Sequence, residues 1–312
     1  MATLNQLIEK ILKGDRNAVA RGISIVESEH AEATKLLTFL YPHTGKAYRV
    51  GITGPPGAGK STITNKLAKV YRSMNKRVGI IAVDPTSPFT GGALLGDRVR
   101  MTDVEMDAGV FIRSMASRGS LGGLSKKTKE AADVLDASGC DVIIFETVGV
   151  GQSELDIVRA ADTTIVVLVP ESGDSIQAMK AGLMEIADFF VINKSDRPGA
   201  EQAVMSIKMV LQFKHSSAGW SPEVIKSIAN NGTGIEEIEA MIETHKNFLL
   251  QNNLLAGKRK ERALERVRDL INDKLRVEFW NKERENVLSS GIENVISGKT
   301  TPYDLAEELL KK

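Results

Sequence analysis

After Thr53 the chain reads Gly54-Pro55-Pro56-Gly57-Ala58-Gly59-Lys60-Ser61, followed by Thr62, and this fits G-x-x-x-x-G-K-[ST]. An apolar, β-rich run (Tyr48 to Thr53) leads in and a helical pattern (Ser61 to Met74) leads out. That strand–loop–helix setting gives the motif its meaning as a Walker A loop. Successive backbone N–H groups curl around a polyphosphate, and the helix N-terminus adds partial positive charge. Lys60 is placed to reach the β- and γ-phosphates, and the Ser61 hydroxyl to ligate Mg²⁺. A chain carrying this loop is committed to a strand-and-helix architecture that presents the loop at a sheet edge.

The rest of the chain supplies that sheet. From Tyr48 to about His245, β-runs alternate with helices: Tyr48–Thr53, Val78–Val83, Val110–Arg113, Asp141–Glu146, Thr163–Val169, Asp188–Asn193 and Glu223–Ala229. Runs such as Val142-Ile143-Ile144-Phe145 and Ile165-Val166-Val167-Leu168-Val169 are continuously apolar, as strands buried on both faces are. The expected fold class is α/β, a mainly parallel sheet with helices on both faces, and ligands at the C-terminal ends of the strands. Residues 4–40 read as a helical pair, the second helix running roughly from Glu27 to Leu40 before Pro42 and Gly45 break the pattern. The pair either packs on the main domain or forms a partner-binding arm. Beyond Asn247 the chain turns highly charged, and Leu264, Val267, Ile271, Leu275 and Phe279 keep a helical stripe. Three parts are expected: an N-terminal helical extension (1–45), a P-loop domain (46–246) and a C-terminal helical arm (247–312).

Composition removes several function classes. A net charge of +1 supplies no global field toward nucleic acid or membrane. The basic run Lys258-Arg259-Lys260 is interleaved downstream with Glu261, Glu265 and Asp269, as on a solvated helix face. One cysteine, Cys140, excludes a disulfide framework and fits a reducing, cytoplasmic setting. No apolar run approaches the ~18 residues of a membrane span, and the first residues show neither signal-peptide nor transit-peptide character. Four scattered histidines and one cysteine offer no metal-carrier ligand pair.

A second layer of residues selects the nucleotide. Asp141-Val-Ile-Ile-Phe-Glu146-Thr-Val-Gly149 is a Walker B-like strand. It ends in a carboxylate, Glu146, suited to orienting Mg²⁺ or its water shell, and Gly149 is placed to offer its N–H to a γ-phosphate. Glu in place of Asp departs from the commonest version. Asn193-Lys194-Ser195-Asp196 matches N-K-x-D after another apolar run. A carboxylate at Asp196 accepts two hydrogen bonds from the N1–H and 2-amino groups of guanine, whereas adenine leaves it unsatisfied. The motif therefore favours GTP over ATP. The Gly/Pro/Ser/Thr-rich stretch from Asp84 to Met101 is a loop by composition. Its acids, Asp84 and Asp97, either face Mg²⁺ or belong to an ordinary surface loop.

These stretches together resemble the MeaB/ArgK family of GTPases, SIMIBI-class P-loop proteins formerly described as LAO/AO transport system kinases. The resemblance runs in order from about residue 5 to 310 and rests on GITGPPGAGKST (51–62), AVDPTSPFTGGALLGDRVRM (82–101), IRSMASRGSLGGL (112–124), ETVGVGQSE (146–154), ESGDSIQAMKAGLMEIAD (171–188) and NKSD (193–196). It implies that Ser61, Asp84, Asp97 and Glu146 surround Mg²⁺, and that Lys60, Glu146, Asp97 and Lys180 serve hydrolysis. Asn193, Lys194, Asp196 and the Ala229 N–H would hold guanine in GTP or GDP. Three switch segments are implied: Asp97–Met101, Gly149–Glu154, and Glu171–Gly182 with Asp174 and Lys180. The resemblance also implies a homodimer through the C-terminal arm. Its partner would be an adenosylcobalamin-dependent acyl-CoA mutase, chiefly methylmalonyl-CoA mutase, whose cofactor loading the GTPase gates. The rival expectation is a nucleotide-dependent kinase or ATPase of a basic amino-acid (LAO/AO) transport system.

Two departures stand out. The Ser-Ala pair the family often has near the base is matched to Ile228-Ala229, and Ser120 stands where the family often has His. No Gln follows Gly149; Val150 does, with Gln152 two residues on, so hydrolysis by the chain alone is expected to be slow.

Overall fold

Continuous apolar runs need cover on both faces, and the fold supplies it. The computed structural model describes residues 3–85, 104, 106–117, 126–147, 159–172, 181–212 and 219–311. Seven strands form one sheet: β1 (Tyr48–Thr53), β2 (Val78–Pro85), β3 (Val110–Ser117), β4 (Val142–Thr147), β5 (Thr163–Leu168), β6 (Phe189–Ile192) and β7 (Val224–Lys226). Their spatial order is β3-β2-β4-β1-β5-β6-β7, and every pairing is parallel. The order reverses at β1, so the connections leaving β1 and β4 diverge there, at the switch point where α/β sheets bind ligands. The Gly54–Ser61 loop begins at the carboxyl end of β1.

Alternation along each strand sorts side chains to two faces. Val142 and Ile144 join Val50, Ile52, Ile165 and Val167 in one cluster. It is closed by α4 (Lys60–Ser73) and α8 (Ile235–Gln251) through Ile63, Leu67, Ile238 and Ile242. Ile143 and Phe145 face the other way, into a cluster with Leu7, Ile11, Ile23 and Leu36 from the N-terminal helices and Val134 and Leu135 of α5 (Lys126–Ala137). Val166, Leu168, Phe190 and Ile192 pack with Leu183 of α6 (Ala181–Ile186) and Val204 and Ile207 of α7 (Ala200–Gln212). The α/β class expected from the sequence is the fold observed.

The N-terminal region corrects one expectation. It holds three helices rather than a pair: α1 (Leu4–Leu12), α2 (Arg16–Glu27) and α3 (Ala33–Leu40). The chain turns at Lys13-Gly14, and the Asp15 carboxylate accepts from Ala18 N–H at 2.8 Å to start α2. Glu27, expected to open the second helix, instead ends α2. The three helices share the sheet's core and are not a free arm. Ion pairs fasten them further: Arg113 of β3 bonds Glu27, and Lys127 of α5 pairs with Glu29 at 3.1 Å and donates to the Glu27 carbonyl at 2.9 Å.

Where this layer meets β1, Asp136 of α5 accepts three successive backbone N–H groups, from Gly45 (2.8 Å), Lys46 (3.1 Å) and Ala47 (3.0 Å). Buried Arg49 pairs with Asp133 at 2.8 Å and lies 3.6 Å from Asp136. A carboxylate that holds both the strand entry and a buried guanidinium fixes the level at which β1 enters the sheet.

The chain divides into two compact units, Met1–Leu255 and Ala256–Lys312. The second holds α9 (Leu254–Phe279) from Ala256 onward, then α10 (Lys282–Ile296) and α11 (Pro302–Lys311). Arg284 organises this unit: it donates to the carbonyls of Leu309 (3.1 Å) and Phe279 (3.0 Å), and its guanidinium sits 4.5 Å from the Phe279 ring centre.

Removing Asp136 strands three amide donors and leaves Arg49 under-compensated. Asp136→Ala is expected to cost roughly 3–5 kcal/mol in urea unfolding, the range for breaking a buried pair; a loss below about 1 kcal/mol would show that the strand entry does not depend on it.

Candidate functional site

The phosphate loop is built on backbone that side chains resist. Gly54 has φ 135°, and a Cβ there would lie 2.0 Å from the Val167 carbonyl oxygen of β5. The loop therefore lies directly on β5, and glycine is required. Gly59 caps α4 with φ 90°, and a Cβ there would meet Asn193 Nδ2 at 2.2 Å. Between them Pro56 and Gly57 are exposed and Ala58 is buried, so the loop's crest faces outward while its base is packed. Lys60 is buried, and its ammonium donates to the carbonyls of Gly54 and Pro55, both at 2.8 Å. That arrangement holds a cation across the loop at the N-terminus of α4, where an anion is favoured.

Ser61 and Glu146 meet as the sequence predicts. The Ser61 hydroxyl donates to Glu146 Oε1 at 2.5 Å, and both residues are buried. Register puts Glu146 beside Ile52 of β1 and Ala82 of β2, at the same sheet edge as the loop. One hydroxyl and one carboxylate side by side form a hard oxygen donor pair, which fits Mg²⁺. Next to them Thr147 donates to the Thr53 hydroxyl at 2.9 Å, tying β4 to the last residue of β1. The Asp84 backbone lies at the end of β2, paired in register with Ala116. Asp97, Gly149 and Lys180 lie outside the described residues, as do Asp174, Ser120, Val150 and Gln152.

Asn193 joins the two halves of the site. Its Nδ2 donates to the Ala58 carbonyl at 2.8 Å, inside the phosphate loop. Its Oδ1 accepts from the Ala229 N–H at 3.0 Å and from the Ser227 hydroxyl at 3.2 Å, in the loop after β7. Lys194, at φ 57°, donates to the Gly57 carbonyl at 2.8 Å. Ser195 N–H donates to the Ser227 carbonyl at 3.0 Å. These bonds bring β6, β7 and the phosphate loop into one body. Asp196 is left exposed at the turn they create.

Sequence reasoning missed Ser227 and the Thr53–Thr147 pair. Taking Ile228-Ala229 as the family's pair passed over Ser227, the only hydroxyl in Ser-Ile-Ala-Asn-Asn. A serine directly after a strand, near an N-K-x-D loop, is the signal that would have found it. The Ala229 amide, assigned to guanine from the sequence, donates here to Asn193. The loop is closed by a bridge between Ile228 and Thr233, where Ile228 N–H donates to the Thr233 carbonyl at 3.0 Å. Beside the turn, Arg197 pairs with Glu171 at 2.5 Å and holds that carboxyl below its usual range. Cys140 lies away from this edge, and burial pushes its thiol up to about 11, so it is inert at neutral pH.

Comparison with known proteins identifies the family and agrees with the fold. Residues 19–284 match the family described as methylmalonyl Co-A mutase-associated GTPase MeaB. A Pyrococcus horikoshii protein, provisionally named a GTPase, is 49% identical over 317 residues, covering 100% of this chain and 99% of its own. The mouse mitochondrial protein described as a methylmalonic aciduria type A homolog is 32% identical, covering 99% of this chain and 79% of its own. A crystal structure described as an LAO/AO transport system kinase superposes with a TM-score of 0.76 at 29% identity, covering 99% of this chain and 97% of its own.

Asn193→Ala breaks three bonds that join the loops. It is expected to weaken nucleotide binding by about 100-fold, or ~2–3 kcal/mol, in calorimetric titration with GDP; a change below about threefold would show that the two loops hold their places independently.

Proposed function

The chain belongs to the MeaB family of methylmalonyl-CoA mutase-associated GTPases, and from that membership we propose that it hydrolyses GTP and acts as a G-protein chaperone. Its client is an adenosylcobalamin-dependent acyl-CoA mutase, with methylmalonyl-CoA mutase the first choice. The observation that carries the guanine reading is the Asn193 junction. It sets the Asp196 turn against the phosphate loop, so one ligand spans both. Adenine, lacking the N1–H and 2-amino donors, leaves Asp196 unsatisfied and is rejected.

In the proposed hydrolysis, loop amides from Gly54 to Thr62 bind the phosphates. Lys60 turns from the Gly54 and Pro55 carbonyls to the β- and γ-oxygens and stabilises the charge that develops there. Ser61 and Glu146, with Asp84 and Asp97, hold Mg²⁺. When bound, Mg²⁺ neutralises charge on the phosphate oxygens. The Gly149 N–H contacts the γ-phosphate, and Lys180 serves hydrolysis from the third switch segment. With Val150 after Gly149, the chain lacks a glutamine at the position where Ras-like proteins orient water. Slow basal turnover follows from that, and the reading assigns its acceleration to the mutase.

The C-terminal arm is read as the dimer contact. α9 has no buried residue, and Leu264, Val267, Ile271 and Leu275 on its stripe are 48–58% exposed. Packing that stripe against a second copy under two-fold symmetry covers it. A cytoplasmic setting is part of the reading and rests on Cys140, a free and buried thiol of the kind reducing compartments keep.

A second reading starts from the crystal-structure relative's description, an LAO/AO transport system kinase, and takes this chain as a nucleotide-dependent kinase or ATPase of such a system. It requires the γ-phosphate to pass to an acceptor other than water. One assay separates the two. The purified chain with Mg²⁺ is expected to release phosphate from GTP, about tenfold or more faster with the mutase present. Lys60→Ala is expected to lose about 10²–10³ of that rate. Wild-type turnover in Lys60→Ala, or γ-phosphate recovered on a transport protein, would contradict the proposal.

A further inference from the structure

Helix α8 starts where the guanine-side loop ends, and its other end is held by polar contacts that the nucleotide site does not use. Its buried stripe runs Ile235, Ile238, Ile242, His245, Leu249, in steps of three and four, with Glu239 buried beside it. Four of the five stripe positions are aliphatic; His245 is the exception, and it is only 1% exposed. An aliphatic residue there would complete the stripe, so the imidazole has a different use.

The contacts of His245 show what that use is. Its Nδ1 lies 2.8 Å from the Thr163 hydroxyl at the start of β5. That hydroxyl lies 2.6 Å from the Tyr48 phenol at the start of β1. Its Nε2 lies 3.3 Å from Asp188 Oδ1, just before β6. Asp188 Oδ2 accepts from Thr164 N–H at 2.7 Å, and the Asp188 carbonyl accepts from the Trp220 indole at 2.6 Å. The Trp220 ring also packs on His245, centroids 4.7 Å apart. Donor logic orders this chain. A carboxylate only accepts, so neutral His245 carries its proton on Nε2. Nδ1 then accepts from Thr163, and Thr163 accepts from Tyr48, whose phenol burial keeps protonated.

These groups sit at the amino ends of β1, β5 and β6, the edge opposite the phosphate loop. Apolar packing is non-directional and tolerates small slides and rotations of a helix. An imidazole bonded to the first residue of β5 and to the residue before β6, and through Thr163 to Tyr48 of β1, does not. α8 is a stiff rod of about 15 Å from Ile235 to His245. At its other end Gly234, φ 82°, lies so close to β7 that a Cβ would sit 2.3 Å from the Lys226 carbonyl oxygen. A shift of the rod therefore moves the Ser227–Gly234 loop, and with it the Ala229 amide and Ser227 hydroxyl that Asn193 holds.

We propose that His245, bonded to Thr163 and Asp188, is a positioning residue that sets the register of α8 on the sheet and thereby the guanine-side loop at the opposite edge. The consequence for base selection rests on the guanine reading above; the positioning itself does not.

Hydrogen exchange on the full chain without nucleotide tests the positioning. His245→Leu keeps the stripe apolar and removes the bonds. The Ile228 and Ile238 amides are expected to exchange about tenfold faster, while the Ile63 amide of α4 keeps its wild-type rate. His245→Gln, which restores a donor toward Asp188, is expected to recover part of the protection. Should His245→Leu fail to fold, Thr163→Val removes the middle hydroxyl at nearly constant shape and is expected to speed the same two amides. Unchanged exchange at Ile228 and Ile238, or an equal rise at Ile63, overturns the proposal. The second arm is kinetic: His245→Leu is expected to raise KM for GTP about tenfold with kcat within about twofold, and to narrow the preference for GTP over ITP. A wild-type chain that does not distinguish GTP from ITP would refute the guanine reading and leave the exchange result to decide the role of His245.

Discussion

The side chain of Asn193 makes a single site of two loops that arise far apart in the sequence. One amide donates into the phosphate loop at Ala58 and accepts from Ser227 and Ala229 after β7. It is 2% exposed, so these bonds form in a low-dielectric setting where an unmatched partner is costly. The glycine at 59 belongs to the same junction, since any Cβ there would strike Asn193 Nδ2. Under the proposed function, the junction would set the distance between phosphate and base before a ligand arrives, the preorganisation that selectivity needs.

The sheet makes the junction possible. Reversal of strand order at β1 sets the Gly54–Ser61 loop at a topological switch point, and parallel β5, β6 and β7 carry Asn193 and Ser227 to the same edge. The close approach of Gly54 to Val167 seats the loop on β5. On the far edge, Asp136 and Arg49 fix where β1 enters, and the Tyr48–Thr163–His245–Asp188 chain joins β1, β5 and α8. Both edges of the sheet are thus pinned by buried polar groups, while its faces are covered by non-directional apolar packing.

Much of this was legible in the sequence because the signals were local. The strand–loop–helix at Gly54, the continuous apolar runs and N-K-x-D each declare themselves within about ten residues. The residues of the Ser61–Glu146 contact were legible too, since Ser61 closes the Walker A motif after β1 and Glu146 stands near the carboxyl end of the apolar run that forms β4. The three-helix N-terminus was misread as a pair because an amphipathic run hid the stop at Lys13-Gly14 and the cap at Asp15. The role of Ser227 and the His245 chain were hidden for another reason. They are contacts between residues tens of positions apart, and a buried histidine on an apolar helix face gives no local sign of its partners.

The central claim is that the Asn193 junction and Asp196 make this a guanine-selective triphosphatase. Steady-state GTP turnover by the purified chain, measured with Mg²⁺ and an approximately tenfold excess of ATP, tests it most directly, with Asp196→Asn run alongside on XTP. The account predicts GTP turnover within about twofold of the ATP-free rate, and a shift of Asp196→Asn from GTP to XTP, because an amide donates where the carboxylate only accepts. Suppression of GTP turnover by ATP to about one-tenth, with Asp196→Asn still preferring GTP, would contradict it.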